Sequence, residues 1–225
     1  FKLSDNVGPA INELVAKGNF EALRNAYTTT FRYSMLLALP VAVGLIGLNE
    51  FVISTWVGKQ QYAGIIMTLA LASFVISQTI NHINAMIIVA TDNMRWWPTL
   101  SIVSAALTLV LSYWIGRELG LQYIMAVIAV MDLPLLTFLF YKSLSSINFS
   151  IQNLWSEVFS PCILATVPLI VLLVIFNWLN LKPSWLNLIL CVVCIAITWL
   201  ISTYRFGLKL NERIILRSKC LSYLS

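Results

Sequence analysis

The sequence predicts an all-α integral membrane protein with six transmembrane helices preceded by short amphipathic helices. Three observations predict it. Of 225 residues, 60% are apolar and only 10% charged, against roughly 45–50% and 25% in soluble domains. The mean hydropathy is +0.87, and a chain this apolar has too little polar surface to cover a water-soluble globule. The apolar residues also gather into six long runs, four charge-free and two holding a single acid, without period-two alternation, which reads as spanning helices and excludes the strands of a barrel.

The elements follow in order. Residues 1–31 form an amphipathic segment, 32–206 a six-helix transmembrane unit and 207–225 a basic tail. In the first segment Ile11, Leu14 and Val15, then Phe20, Leu23, Tyr27 and Phe31, recur at three-to-four spacing around Gly18-Asn19. There the glycine ends one helix and the asparagine caps the next, giving two short helices expected at the membrane surface. The predicted spans run from Tyr33 to Val57, Tyr62 to Ala90, Trp97 to Ile115, Gln122 to Tyr141, Val158 to Asn177 and Trp185 to Tyr204. The charge-free window from Gln60 to Thr91 exceeds a perpendicular crossing, so the second span must tilt or protrude. The turn formers Asn180 to Ser184 separate the last two.

Short connections make successive spans antiparallel, so positive charges can be assigned to sides. Lys2, Lys17, Arg24, Arg32, Arg95, Lys142, Arg205, Lys209, Arg213, Arg217 and Lys219 fall on one side, and only Lys59, Arg117 and Lys182 on the other. By the positive-inside rule both termini are expected in the cytoplasm. Trp56, Trp96, Trp97, Trp114, Trp178 and Trp185 lie at span ends, where amphipathic rings prefer the headgroup zone. The net charge of +5 is dispersed between apolar runs, so it marks topology and contact with membrane lipids, and no nucleic-acid partner is expected.

The chemistry-bearing residues are few. Cys162, Cys191 and Cys194 lie inside apolar runs and Cys220 in the tail, so neither a disulfide framework nor a zinc site is expected. The chain begins at Phe1 in mid-pattern without a signal peptide, and reads as a piece of something longer. No G-x-S-x-G, P-loop lysine, H-E-x-x-H or paired carboxylates are present; the expectation is no enzyme, no catalytic residue, no cofactor and no metal.

What remains is polarity at bilayer depth, which is costly unless it faces the bundle interior or a watery cavity. In the second span Ser73, Ser77, Asn81 and Asn84 share one helical face, with Gln78 and His82 beside it. Amides and hydroxyls offer both donors and acceptors to sugar hydroxyls, and equally serve as hydrogen-bonding glue between helices. Asp132 is the one acid at mid-span, two residues before Pro134, whose ring frees helix carbonyls. Such a carboxylate can couple a proton or cation, or pair with His82 or an amide to hold the bundle. Pro40, Pro134, Pro161 and Pro168 within spans permit bending.

The stretch Pro9-Ala-Ile-Asn-Glu-Leu14, then Lys17-Gly18-Asn19 and Leu23, Arg32 leading to Leu-Ala-Leu-Pro40, and Thr55-Trp56-Val57-Gly58 resembles the multidrug/oligosaccharidyl-lipid/polysaccharide exporter superfamily. The likeness is to the C-terminal lobe of its oligosaccharide and O-antigen flippase branch, and the segment Ala90-Thr91-Asp92-Asn93 followed by Arg95 is similar too. It covers about the first 120 residues by motif and the rest by span count. The resemblance implies one lobe of a two-lobed alternating-access transporter in the bacterial inner membrane, moving an undecaprenyl-linked oligosaccharide for polysaccharide or lipopolysaccharide synthesis. Departing from that pattern, the chain carries one lobe and no cation well inside its six spans. The alternatives are a cation-coupled drug or metabolite antiporter of the same superfamily, and a non-transporting scaffold for polysaccharide-synthesis enzymes.

Overall fold

A computed structural model of the chain describes residues 2–179, 181–215 and 217, with side chains from Asn6 onward. Every regular element it describes is helical: α1 (Lys2–Ala16), α2 (Phe20–Trp56), α3 (Ile65–Ala90), α4 (Trp97–Glu118), α5 (Ile124–Ser146), α6 (Ile151–Leu154), α7 (Ser160–Trp178) and α8 (Trp185–Ser202). Wide five-residue-repeat turns join α6 to α7 at Trp155–Phe159 and extend α8 at Thr203–Gly207. Six of the resulting helices are long and apolar enough to span a bilayer, as the apolar runs predicted, and the chain is a multi-pass membrane protein.

The first junction forms as the dipeptide dictates. Gly18, at φ +63°, closes α1, with the amides of Gly18 and Asn19 reaching back to Val15 and Leu14 carbonyls at 3.0 and 3.1 Å. Asn19 Oδ1 then accepts from the Ala22 amide at 3.1 Å and starts α2. The structure departs from the expected separation of segments after that point. The second amphipathic stretch does not end near Phe31; it runs without interruption into the first span as one helix of 37 residues. No breaker stands between Asn19 and Pro40, and Pro40 is absorbed inside the helix.

Both amphipathic stretches turn their apolar faces onto the bundle. α1 packs on α2 and α3, and Ile11, Leu23, Tyr27 and Phe31 are fully buried in one cluster with Ile83, Ile87, Ile147, Leu154 and Val158. The main core therefore sits at the end of the bundle that carries the N-terminal helix, α3's last turns and the α5–α6 connection. Arg24 Nε donates to the Ile147 carbonyl at 2.8 Å and ties that connection to α2.

The spans pack as a row: α4 on α5, α5 on α3, α3 on α2, α2 on α7 and α7 on α8. α2 and α7 approach closely where a Cβ on Gly47 would fall 2.5 Å from Leu173. At the far edge α4 buries none of its residues, and its outward side chains, such as Leu109 at 73% exposure, are apolar, as contact with lipid requires. The thiols of Cys162, Cys191 and Cys194 are free; Asn180, Lys219 and Cys220 lie outside the described residues.

Arg32 differs most from its sequence reading. Taken there as a flanking topology charge, it is 1% exposed and pairs with Glu212 from beyond the last span. An unpaired guanidinium could not be buried at this depth, so the acid from the tail is what permits it.

Candidate functional site

The site is built on α3 and α5, which pack face to face along much of their length. Asp132 lies in the middle of α5, one turn from Leu135 and two residues before Pro134. Proline lacks the N–H that would close the preceding turn, and the loosened turn is steadied from α4, where Ser104 Oγ donates to the Met131 carbonyl at 2.8 Å. α3 presents its amides to the carboxylate. Gln78 Nε2 donates to Asp132 Oδ2 at 3.2 Å, and Asn81 Nδ2 reaches Oδ1 and Oδ2 at 3.1 and 3.0 Å. Amide donors on a carboxylate are the stronger, charge-assisted kind of hydrogen bond.

Two grooves open from this cluster. One, of about 500 Å³, is lined by Gln78, Asn81, His82, Trp97, Asp132 and Leu139. The other, of about 440 Å³, runs between α4 and α5 past Ser101, Ser104 and Thr108 to the same Gln78 and Asp132. Polar groups thus converge at mid-span while the flanks of both grooves are aliphatic and aromatic. Within the cluster Asn81 is 94% buried by its 6% exposure, and its Oδ1 accepts no hydrogen bond. The Asp132 oxygens accept the three amide bonds, whereas Asn81 Oδ1 is a buried acceptor left without a donor.

The stripe read from the sequence divides. Gln78, Asn81 and Asp132 come together, and His82 lines the larger groove beside them. Ser77 is buried and its hydroxyl bonds back to the Phe74 carbonyl at 3.2 Å, while Ser73 faces outward and joins neither groove. Asn84 belongs to a different structure. Its Oδ1 accepts from Tyr27 Oη at 2.8 Å and from Ser143 Oγ, and its Nδ2 donates to the Ile80 carbonyl at 2.8 Å. With Asn84, Tyr27 and Ser143 all at 0–1% exposure, this knot joins α2, α3 and α5 with every hydrogen-bonding group satisfied.

The sequence reading missed several participants. Trp97 was assigned only to the headgroup belt, and the serine and threonine face of α4 was not singled out. Ser101, Ser104 and Thr108 repeat at three and four residues, a spacing that marks one helix face. Tyr27 was read solely as part of an apolar stripe. No group of three or more metal-ligating side chains occurs among the described residues.

Comparison with protein families, curated proteins and solved structures finds no match for this chain. The site's chemistry is therefore read from its own geometry.

Proposed function

We propose that this chain is a transport lobe for a lipid-linked oligosaccharide, resident in the bacterial inner membrane with both termini cytoplasmic, and that the groove around Asp132 meets the sugar. The supporting observation is the meeting of Gln78, Asn81 and Asp132 at mid-span in grooves whose flanks are apolar. That polarity profile suits an amphiphile. Sugar hydroxyls can exchange hydrogen bonds with amides and a carboxylate, while an isoprenoid chain stays in contact with lipid-facing side chains. The residues carrying the family resemblance and the division of positive charge support the same reading. On this reading undecaprenyl-linked oligosaccharide and membrane lipids are the partners, with no nucleic acid, and the chain itself performs no covalent chemistry.

Asp132→Asn tests it, because asparagine keeps the volume and an acceptor for Asn81 while removing the charge. Surface display of the glycan is expected to drop about tenfold or more, the loss of one charge-assisted contact in a desolvated site, with the protein still inserted at its normal level. Undiminished display would remove the site from the transport path.

A second reading rests on a specific observation: the unpartnered Asn81 Oδ1 beside the carboxylate. A small cation held at the Asp132 carboxylate would give that amide oxygen a partner, and a proton would neutralise the carboxylate, as in a cation-coupled antiporter. In proteoliposomes, Asp132→Asn would then abolish the dependence of uptake on an imposed ion gradient. Under the first reading Asp132→Asn lowers flipping of the lipid-linked oligosaccharide whether or not a gradient is imposed. A scaffold for polysaccharide-synthesis enzymes, by contrast, would tolerate Asp132→Asn in both assays.

A further inference from the structure

Beyond the last span the chain carries Arg205, Lys209, Arg213, Arg217 and Lys219 against a single acid, Glu212. Residues 210–215 form one and a half helical turns, and their rotation is fixed by that acid. Glu212 turns inward to the buried Arg32, and its second oxygen accepts from the Lys209 amide at 2.7 Å, starting the turn. Lys209 Nζ reaches Glu157 on the α6–α7 turn at 3.0 Å, while Arg213 binds the carbonyls of Leu208 and Arg205 at 3.0 and 2.6 Å. The only negative charge of the segment is thereby spent on the protein side. Its outward side carries Leu210 at 69% and Ile214 at 59% exposure, with Phe206 at 42% and the exposed Arg205 and Arg217 beside them.

We propose that residues 205–215, with Arg217, form a surface clamp for anionic phospholipid headgroups, oriented by the Arg32–Glu212 pair. Charge complementarity selects this occupant. Apolar side chains flanked by arginines, at the level where a span leaves the hydrocarbon, match an acyl boundary beneath phosphate groups. A zwitterionic headgroup offers the apolar contact alone. The inference stands apart from the transport reading, since it uses no residue of the Asp132 site.

Amide hydrogen exchange on the full chain in nanodiscs tests it. Exchange across residues 208–215 is expected to slow about tenfold when phosphatidylglycerol is added to phosphatidylcholine, the order given by a few cations near an anionic surface. Equal rates in the two lipids would overturn the clamp. In Arg205→Gln/Arg217→Gln the slowing should fall to less than about threefold, and full retention would show that apolar contact suffices, contrary to the proposal. Glu212→Gln should exchange fast in both lipids, with protection of α3 reporting that the bundle is still folded. Lys209→Gln loosens the same turn without exposing a buried charge and should lose part of the lipid effect. A lipid effect unchanged in both of these variants would overturn the orienting role of the ion pair.

Discussion

Asn81 and Asn84 stand three residues apart on α3, carry the same side chain and meet opposite surroundings. Asn84 is closed in on all sides, accepts from Tyr27 and Ser143 and donates to its own helix. Asn81 gives both of its donated bonds to one carboxylate, leaves its oxygen unpartnered and borders an open groove. Buried amides are costly unless satisfied, so the first arrangement is what a structural amide looks like. The second has the incomplete pairing of a site that meets something else. The difference teaches that a polar face on a spanning helix is not one unit of function: a rotation of about 60 degrees, from three steps of about 100 degrees, moves a residue from the seam between helices to a groove wall.

The contrast can be broken or sharpened by substitution. Asn84→Leu should have the largest effect, about 2 kcal/mol of lost stability, because it takes the acceptor from the buried Tyr27 hydroxyl and removes the bond from Ser143, which keeps only the Phe140 carbonyl at 3.0 Å; the midpoint of denaturation in mixed detergent micelles reads it. Tyr27→Phe removes one of the same bonds and should cost about 1 kcal/mol in that measurement. Asn81→Leu is expected to cost under about 1 kcal/mol, since Gln78 still serves Asp132, yet to impair glycan display. If Asn81→Leu destabilised the chain as much as Asn84→Leu, both amides would be structural and the contrast would vanish. Ser104→Ala should be the mildest, near 0.6 kcal/mol by the average for hydrogen bonds between membrane helices, and a much larger loss would make the α4 face part of the core.

Much of the fold was legible in the sequence because lipid imposes a simple rule. Backbone groups must be satisfied within each crossing, so the long apolar runs mark the helices, and Gly18-Asn19 and Ser184 mark ends where the structure places a cap. The length of α2 was less legible. An amphipathic pattern and an apolar run have different compositions but the same backbone period, and nothing in composition says that one helix continues into the other. The inward position of Arg32 was hidden for a related reason: its partner Glu212 is 180 residues away, and only the packing of the row brings them together. At the site, the face shared by Ser73, Ser77, Asn81 and Asn84, with Gln78 and His82 beside it, could be seen from spacing within α3. Which residues of that face meet α5, and which meet Tyr27, depends on helix rotation that local pattern leaves open. Ser73 illustrates the limit, since the same periodicity that groups it with Ser77 leaves it facing outward.

The unbroken helix from Phe20 to Trp56 has a mechanical consequence. Its 37 residues make a rod of about 56 Å, nearly twice the hydrocarbon thickness. One end is clamped among Leu23, Tyr27 and Phe31, and the other ends beside the Glu50–Lys59 pair. With a lever arm of about 38 Å from Phe31 to the tip, a tilt of about 5 degrees swings that tip by about 3 Å. With Gly47 against Leu173 and Asn49 bonded to Thr68 at 2.8 Å, such a swing would carry α7 and α3 with it and needs no linker to relay it.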